Sequence, residues 1–239
     1  MGWLEDLGKS LPVDKAYDDI CQPAAQEVGS IAKSTVKAAR FILAPIDYLA
    51  AQQDRFQKFL KRVSDNVPEE NFIPAHPQIA GPIMDNLKYI DEDNVIATLF
   101  INLLSRAVDK ERVSEAHPAF VNIISQLSPD EALLINYLSD AEAKLVQTSD
   151  FYRQTSTFGP RRTELNDFPV QQLAYPENYL LYMDHLHSLN LAGIWQAGNQ
   201  DPIMSGGQQS GVRITSYARL TCFGHLFAKA CVAGVVSEQ

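Results

Sequence analysis

Cysteines, cationic side chains and long apolar runs are all scarce in this chain, and each scarcity removes a class of protein. Cys21, Cys222 and Cys231 are the 3 cysteines in 239 residues, too few and too scattered for a disulfide framework, and they fit a reducing compartment. No uncharged apolar stretch reaches the roughly 18 residues that suggest a spanning helix. The best runs are 95–104, interrupted by Asn102, and the tail after Lys229. The start, Met-Gly-Trp-Leu-Glu-Asp, is acidic where a secretory leader would be basic. Asp6 stands where a myristoylation motif requires Ser or Thr. The expectation is a cytoplasmic protein without a leader.

Lys and Arg number 20 against 29 Asp and Glu, a net charge of −9. Residues 1–150 hold 14 cations and 23 anions, and residues 151–239 hold six of each, so the first part carries the whole deficit. Neither part has the positive footprint in bulk that non-specific nucleic-acid binding needs to displace counterions. An apolar share of 46% is ample for a buried core. There is no internal repeat.

Helical periodicity dominates the first 140 residues. Apolar positions from Ala24 to Ile42 fall near helical spacing, and Pro45 ends or kinks that segment. A second segment carries Ile46, Leu49, Phe56, Phe59, Leu60 and Val63, with Arg55, Lys58, Lys61 and Arg62 interleaved, and stops at Asn66 and Pro68. It is the one locally basic amphipathic element. A solvated bundle helix is the plain reading, and peripheral membrane contact through the basic residues is the alternative. Proline-rich residues 68–82 form a connector into a short helix over 81–90. Asp91-Glu92-Asp93-Asn94 opens a helix with a wide apolar face. His117-Pro118 and Ser128-Pro129-Asp130-Glu131 open two more, each with proline near the first helical position.

The last 100 residues differ. Residues 144–157 alternate loosely and suggest a strand. Residues 177–191 read as a helix burying Tyr179, Leu180, Met183, Leu186 and Leu189. Residues 194–196 and 212–217 read as strands joined by a long loop over 204–211, and Thr221 caps a final helix. Helix, strand–loop–strand, helix is the order of a winged-helix module. The fold expected is therefore mainly α: helices over 1–70, a helical core over 71–140, and a winged-helix-like module with a small antiparallel hairpin over 141–239.

An ordered set of residues within 77–231 resembles the Abi-alpha (abortive infection alpha) family of bacterial phage-defence proteins. The set is Pro82-Ile83-Met84, Leu103-Leu104 with Arg106-Ala107-Val108-Asp109, His117-Pro118-Ala119-Phe120-Val121, and Gln126-Leu127-Ser128-Pro129 with Asp130 and Ala132-Leu133-Leu134. It continues through residues 186–194 to Leu220-Thr221-Cys222-Phe223-Gly224, with Phe227 and Ala230-Cys231. The family usually has Met where Val108 stands. The resemblance implies phage defence or host-cell shutdown and no established reaction.

Chemistry is harder to find. His117 lies near Asp109, Arg112, Ser114 and Glu115, and the economical reading of these is helix capping and ion pairing. Cys222 with His225, and His185 with His187, lack the convergent ligand set of a zinc site. No phosphate-cradling glycine loop or nucleophile elbow is present. The expectation is a protein without enzymatic activity, metal or cofactor, working through a protein partner or a second copy of itself. Its signature residues Arg106, Asp109, His117, Pro118, Phe120, Gln126, Ser128, Thr221 and Gly224 are read as structural. A DNA-binding regulator is the alternative, with Arg161, Arg162, Arg213 and Arg219 as phosphate contacts. The charge of its reading helix, Glu177 and Asp184 with no Lys or Arg, opposes that.

Overall fold

The computed structural model describes residues 55–91 and 93–232. The segment from Ala24 to Asp54 read as helical above lies outside them. Helix α1, described over 55–65, buries Phe59, Leu60 and Val63 at spacings of three and four. It ends at Asn66, and the connector then binds its neighbour by backbone: Ile73 N–H donates to the Val108 carbonyl at 2.8 Å, and Lys110 N–H to that of Asn71 at 2.9 Å.

Helix α2 is Pro77–Leu87 and α3 is Val95–Ala107. Asn94 caps α3 by accepting from Ile96 N–H at 2.9 Å. Nine of the 13 residues of α3 are buried, among them Leu99, Phe100 and Leu103, so it is the central helix. Short α4 (Ala119–Ile124) and α5 (Pro129–Asp140) follow. Ser128 and Glu131 form a reciprocal capping box at the start of α5.

The remainder overturns the winged-helix expectation. Strands β1 (Ala143–Tyr152), β2 (Thr157–Phe158), β3 (Arg162–Asn166), β4 (Ala192–Gln196), β5 (Asp201–Ser205) and β6 (Gln208–Leu220) form one six-stranded antiparallel sheet. Its centre is the pairing of β1 with β6, from Ala143↔Ala218 to Asp150↔Gly211. One flank of this pair is β2 and β3, and the other is β4 and β5. The supposed wing is thus one half of a larger sheet: its β6 is central, its β4 and β5 form a flank, and the other central strand, β1, precedes the supposed reading helix. The long loop over 204–211 is also a hairpin: Gly206 (φ 58°) and Gly207 (φ 76°) make the two-residue turn between β5 and β6, a backbone that favours glycine. The chain is α+β rather than mainly α.

Helix α6 (Tyr179–Ser188) lies between β3 and β4 in sequence, and α7 (Cys222–Phe227) runs into a π-turn over Ala228–Val232. Small residues on one face of the sheet, Ala143, Ala192 and Ala218, join the same apolar core as α1 to α7. No helix among the described residues is long and apolar enough to cross a membrane.

Candidate functional site

One buried grouping of titratable side chains joins the first turn of α5 to α6. Asp130 and Glu131 are both buried there. The Asp130 carboxylate accepts from Ala174 N–H at 2.8 Å, Tyr175 N–H at 3.1 Å and the Tyr182 hydroxyl at 3.0 Å. Glu131 accepts from Ser128 N–H at 2.7 Å and the Ser128 hydroxyl at 2.8 Å, and its other oxygen lies 2.5 Å from His185 Nδ1. Tyr182 and His185 are one turn apart, so a single face of α6 meets both carboxylates. The positive end of the α5 dipole favours the two anions. Burial, reinforced by the hydrogen bond to Asp130, pushes the Tyr182 phenol above its usual range. The arrangement holds two helices and a loop together, with every carboxylate oxygen engaged.

A second polar group surrounds the connector after α3. Asp109, with 2% of its surface exposed, accepts from Glu111 N–H at 2.9 Å and Arg112 Nε at 2.5 Å. Burial raises its pKa, but the Glu111 N–H, the Arg112 guanidinium and the charge of Arg106 together outweigh burial and hold the carboxyl below its ordinary range. A depressed folded-state pKa contributes stability above the unfolded carboxylate range, and that contribution is lost as pH falls through the folded value. Asp109→Asn should therefore cost about 1–2 kcal/mol at neutral pH. The gap to the parent should close below about pH 4 in urea titrations. An equal gap at both pH values would assign the effect to shape rather than charge.

The other signature residues have local work. Arg106 lies 3.5 Å from the Glu115 carboxylate, which Lys229 approaches at 2.7 Å. Arg106 also donates to the Lys229 carbonyl at 3.3 Å, tying α3 to the C-terminal turn. His117 accepts from Ala119 N–H at 3.1 Å, and its ring packs against Phe120 and Phe223. Pro118 precedes α4 directly. Phe120 meets Phe227 edge-on at 5.2 Å. Gln126 donates to the Asn122 carbonyl at 2.8 Å. Thr221 accepts from Gly224 N–H at 2.9 Å.

Of the arginines read as phosphate contacts, Arg162 and Arg213 flank Thr148 in one row of the sheet, and each of the four is engaged within the protein. Arg162 pairs with Asp150 at 2.6 Å, Arg213 is held by both oxygens of Glu164 at 2.9 and 3.0 Å, and Arg219 approaches Glu142 at 3.8 Å and covers the Trp195 ring. Arg161 donates to Gln147 Oε1 at 3.4 Å. On α1, Arg55 pairs with Asp91 in the connector before α3 at 3.2 Å and Arg62 donates to the Thr98 hydroxyl of α3 at 3.1 Å, while Lys58 and Lys61 are exposed. Among the described residues no three His, Cys, Asp or Glu come together in a way that could hold a metal ion.

A family model described as abortive infection alpha matches residues 51–231. The chain belongs to the abortive infection alpha family. That match runs from α1 into the π-turn and takes in both polar groups, and membership supports a role for this Abi-alpha protein in abortive infection, the phage-defence response. No curated protein matches the chain. Among solved structures, that of the uncharacterized protein from the hydrocarbon-degrading marine bacterium Alcanivorax borkumensis SK2 is 14% identical, covers 51% of this chain and 94% of its own, and has a TM-score of 0.28.

Sequence reasoning missed the α5–α6 grouping. Asp130 and Glu131 are legible as an acidic first turn, but nothing local announces that they serve Tyr182 and His185, 52 and 54 residues away.

Proposed function

We propose that this protein serves phage defence non-enzymatically, by docking a protein partner on the exposed face of α6. The carrying observation is the character of that face. Leu181 is 63% exposed and Leu180 39%, and Tyr175, in the loop before the helix, is 60% exposed, its N–H sharing the Asp130 carboxylate with Tyr182. Glu177 and Asp184 rim the patch. Between Arg162 and Arg213 the sequence contains no Lys or Arg and five carboxylates, so no cation of this segment neutralises the rim. Large exposed apolar side chains inside a rim of one sign favour a polypeptide of apolar and cationic character. The groups with most chemical capacity, Asp130, Glu131, Tyr182 and His185, are meanwhile bonded to one another beneath that face.

The test is phage plating and survival of infected cultures carrying the parent gene, no gene, or the Leu180→Ser/Leu181→Ser gene. The double variant should lose protection while its unfolding free energy stays within about 0.5 kcal/mol of the parent, as expected of surface changes. Identical plating with and without the gene would remove the defence role. Full protection by the double variant would remove α6 as the docking face.

A further inference from the structure

The geometry points to the far end of the sheet as a docking surface for an anionic lipid bilayer. Two hairpins end there side by side: the turn over 153–156 joining β1 to β2, and the Gly206-Gly207 turn joining β5 to β6. Arg153 ties them together, donating from Nη1 to the Gln208 side-chain oxygen and from Nε and Nη2 to the Gln209 carbonyl at 3.4 Å. Tyr152 and Phe158 are each 50% exposed at this end, and Met204 is 58% exposed. Phe151 packs on Phe158 with ring centroids 5.0 Å apart. Tyr152 lies so close over Gly159 that a Cβ there would sit 2.9 Å from its hydroxyl, so a side chain at 159 would push the ring aside.

Charge at this end is opposite to that of the protein. Residues 151–163 contain three Arg and no Asp or Glu, in a chain of net charge −9. Asp150 neutralises Arg162, but among the described residues Arg153 and Arg161 meet only the neutral amide oxygens of Gln208, Gln209 and Gln147. The pattern stops at the row of Arg162 itself, where Arg213 stands across Thr148, is held by Glu164 and lies opposite Asp201.

Half-exposed aromatic rings with a polar tip settle at the headgroup level of a bilayer, and neighbouring arginines are drawn to anionic lipid. Two uncompensated cations are a thin footprint for a nucleic-acid backbone, which is bound through many phosphate neutralisations. Three or four large apolar side chains have little to bury against phosphates and much to bury in a headgroup boundary. The bilayer is therefore the better fit, and it lies on a different surface from the α6 face.

Co-sedimentation of the full chain with vesicles tests this. The chain should pellet with phosphatidylcholine vesicles containing about one-third phosphatidylserine at about 50 mM salt, and far less with pure phosphatidylcholine or at about 0.5 M salt. Arg161→Gln should weaken the partition about fivefold, the worth of one arginine near an anionic surface. Tyr152→Ser/Phe158→Ser should weaken it about tenfold or more. If circular dichroism finds the aromatic double variant unfolded, Arg161→Gln and the salt dependence decide. The proposal is overturned if the chain does not pellet, or if the folded tip variants pellet like the parent. It is equally overturned if Lys58→Gln/Lys61→Gln alone removes binding, which would put the contact on α1. Retention of a single-stranded oligonucleotide at the same salt, with no vesicle binding, would assign the tip to nucleic acid instead.

Discussion

Gly224→Ala is expected to destabilise the protein by about 3–5 kcal/mol, measured as the shift in urea unfolding at neutral pH. A Cβ at residue 224 would fall far inside van der Waals contact distance of the Leu191 carbonyl oxygen, and backbone atoms cannot swing aside as a side-chain tip can. That carbonyl is already fixed, since it accepts from Thr221 N–H at 2.9 Å. Thr221 also donates from its hydroxyl to the Asn190 carbonyl at 2.5 Å, and Asn190 sits in the left-handed region at φ 57° to end α6. The α6–β4 turn and the start of α7 thus form one joint with no slack. Forcing it open lifts α7 and its π-turn, which bury Phe227, Ala230 and Cys231 against α3 and α5. Gly81→Ala is the contrast. Apart from its chain neighbours nothing lies within 4 Å of a Cβ at that exposed position in α2, but Pro82 crowds the Cβ of the residue before it and offsets the gain in helix propensity, so the same substitution should leave stability within about 0.5 kcal/mol of the parent. Equal midpoints for the two variants would show that the close approach at Gly224 can relax.

Thr221 was legible as a cap for the same reason that Asn94 and Ser128 were: capping is chemistry between residues two or three apart, and it leaves its signature in the local sequence. Strand pairing does not. β1 reads as loose alternation because both Leu145 and Val146 are buried, which breaks the period of two. β3 is almost wholly exposed, so Arg162 to Asn166 carry no apolar period at all. With β1 weak and β3 silent, the visible strands β4 and β6 looked like an isolated wing. Leu180 was expected on the buried side of its helix but is exposed; α6 buries Met183 and Leu186, packs Tyr179, Tyr182 and Leu189 part-buried against the core, and adds polar contacts to Asp130 and Glu131. The cations of the sheet were easy to count and hard to interpret. Glu142, Asp150 and Glu164, which pair with Arg219, Arg162 and Arg213, lie 12 to 77 residues from them in sequence, and only the fold brings them together. The family resemblance was legible because its residues are mostly caps, close-packed glycine and core.

The polar contacts that hold α6 lead to the second large expectation: Asp130→Ala should cost about 3 kcal/mol. The carboxylate is buried and accepts from two backbone N–H groups and one hydroxyl. Each such bond contributes about 1 kcal/mol net once the cost of burying the carboxylate is set against it, and its loss strands a donor that the fold keeps from water. Tyr182→Phe removes only the hydroxyl and should cost about 1 kcal/mol. The two changes share one bond, so the double variant should fall short of the sum by about 1 kcal/mol. Hydrogen exchange separates the backbone part from the side-chain part. The Ala174 and Tyr175 amides should lose protection in Asp130→Ala and keep it in Tyr182→Phe, because only the first change removes their acceptor. A free energy for Asp130→Ala within about 0.5 kcal/mol of the parent, with both amides still protected, would mean that α6 is held by its apolar packing alone. The intermediate outcome, full amide loss at little global cost, would instead identify the 168–189 segment as a unit that opens without unfolding the core. The Asp130→Ala protein would then be the variant in which to ask whether partner binding needs α6 held in place.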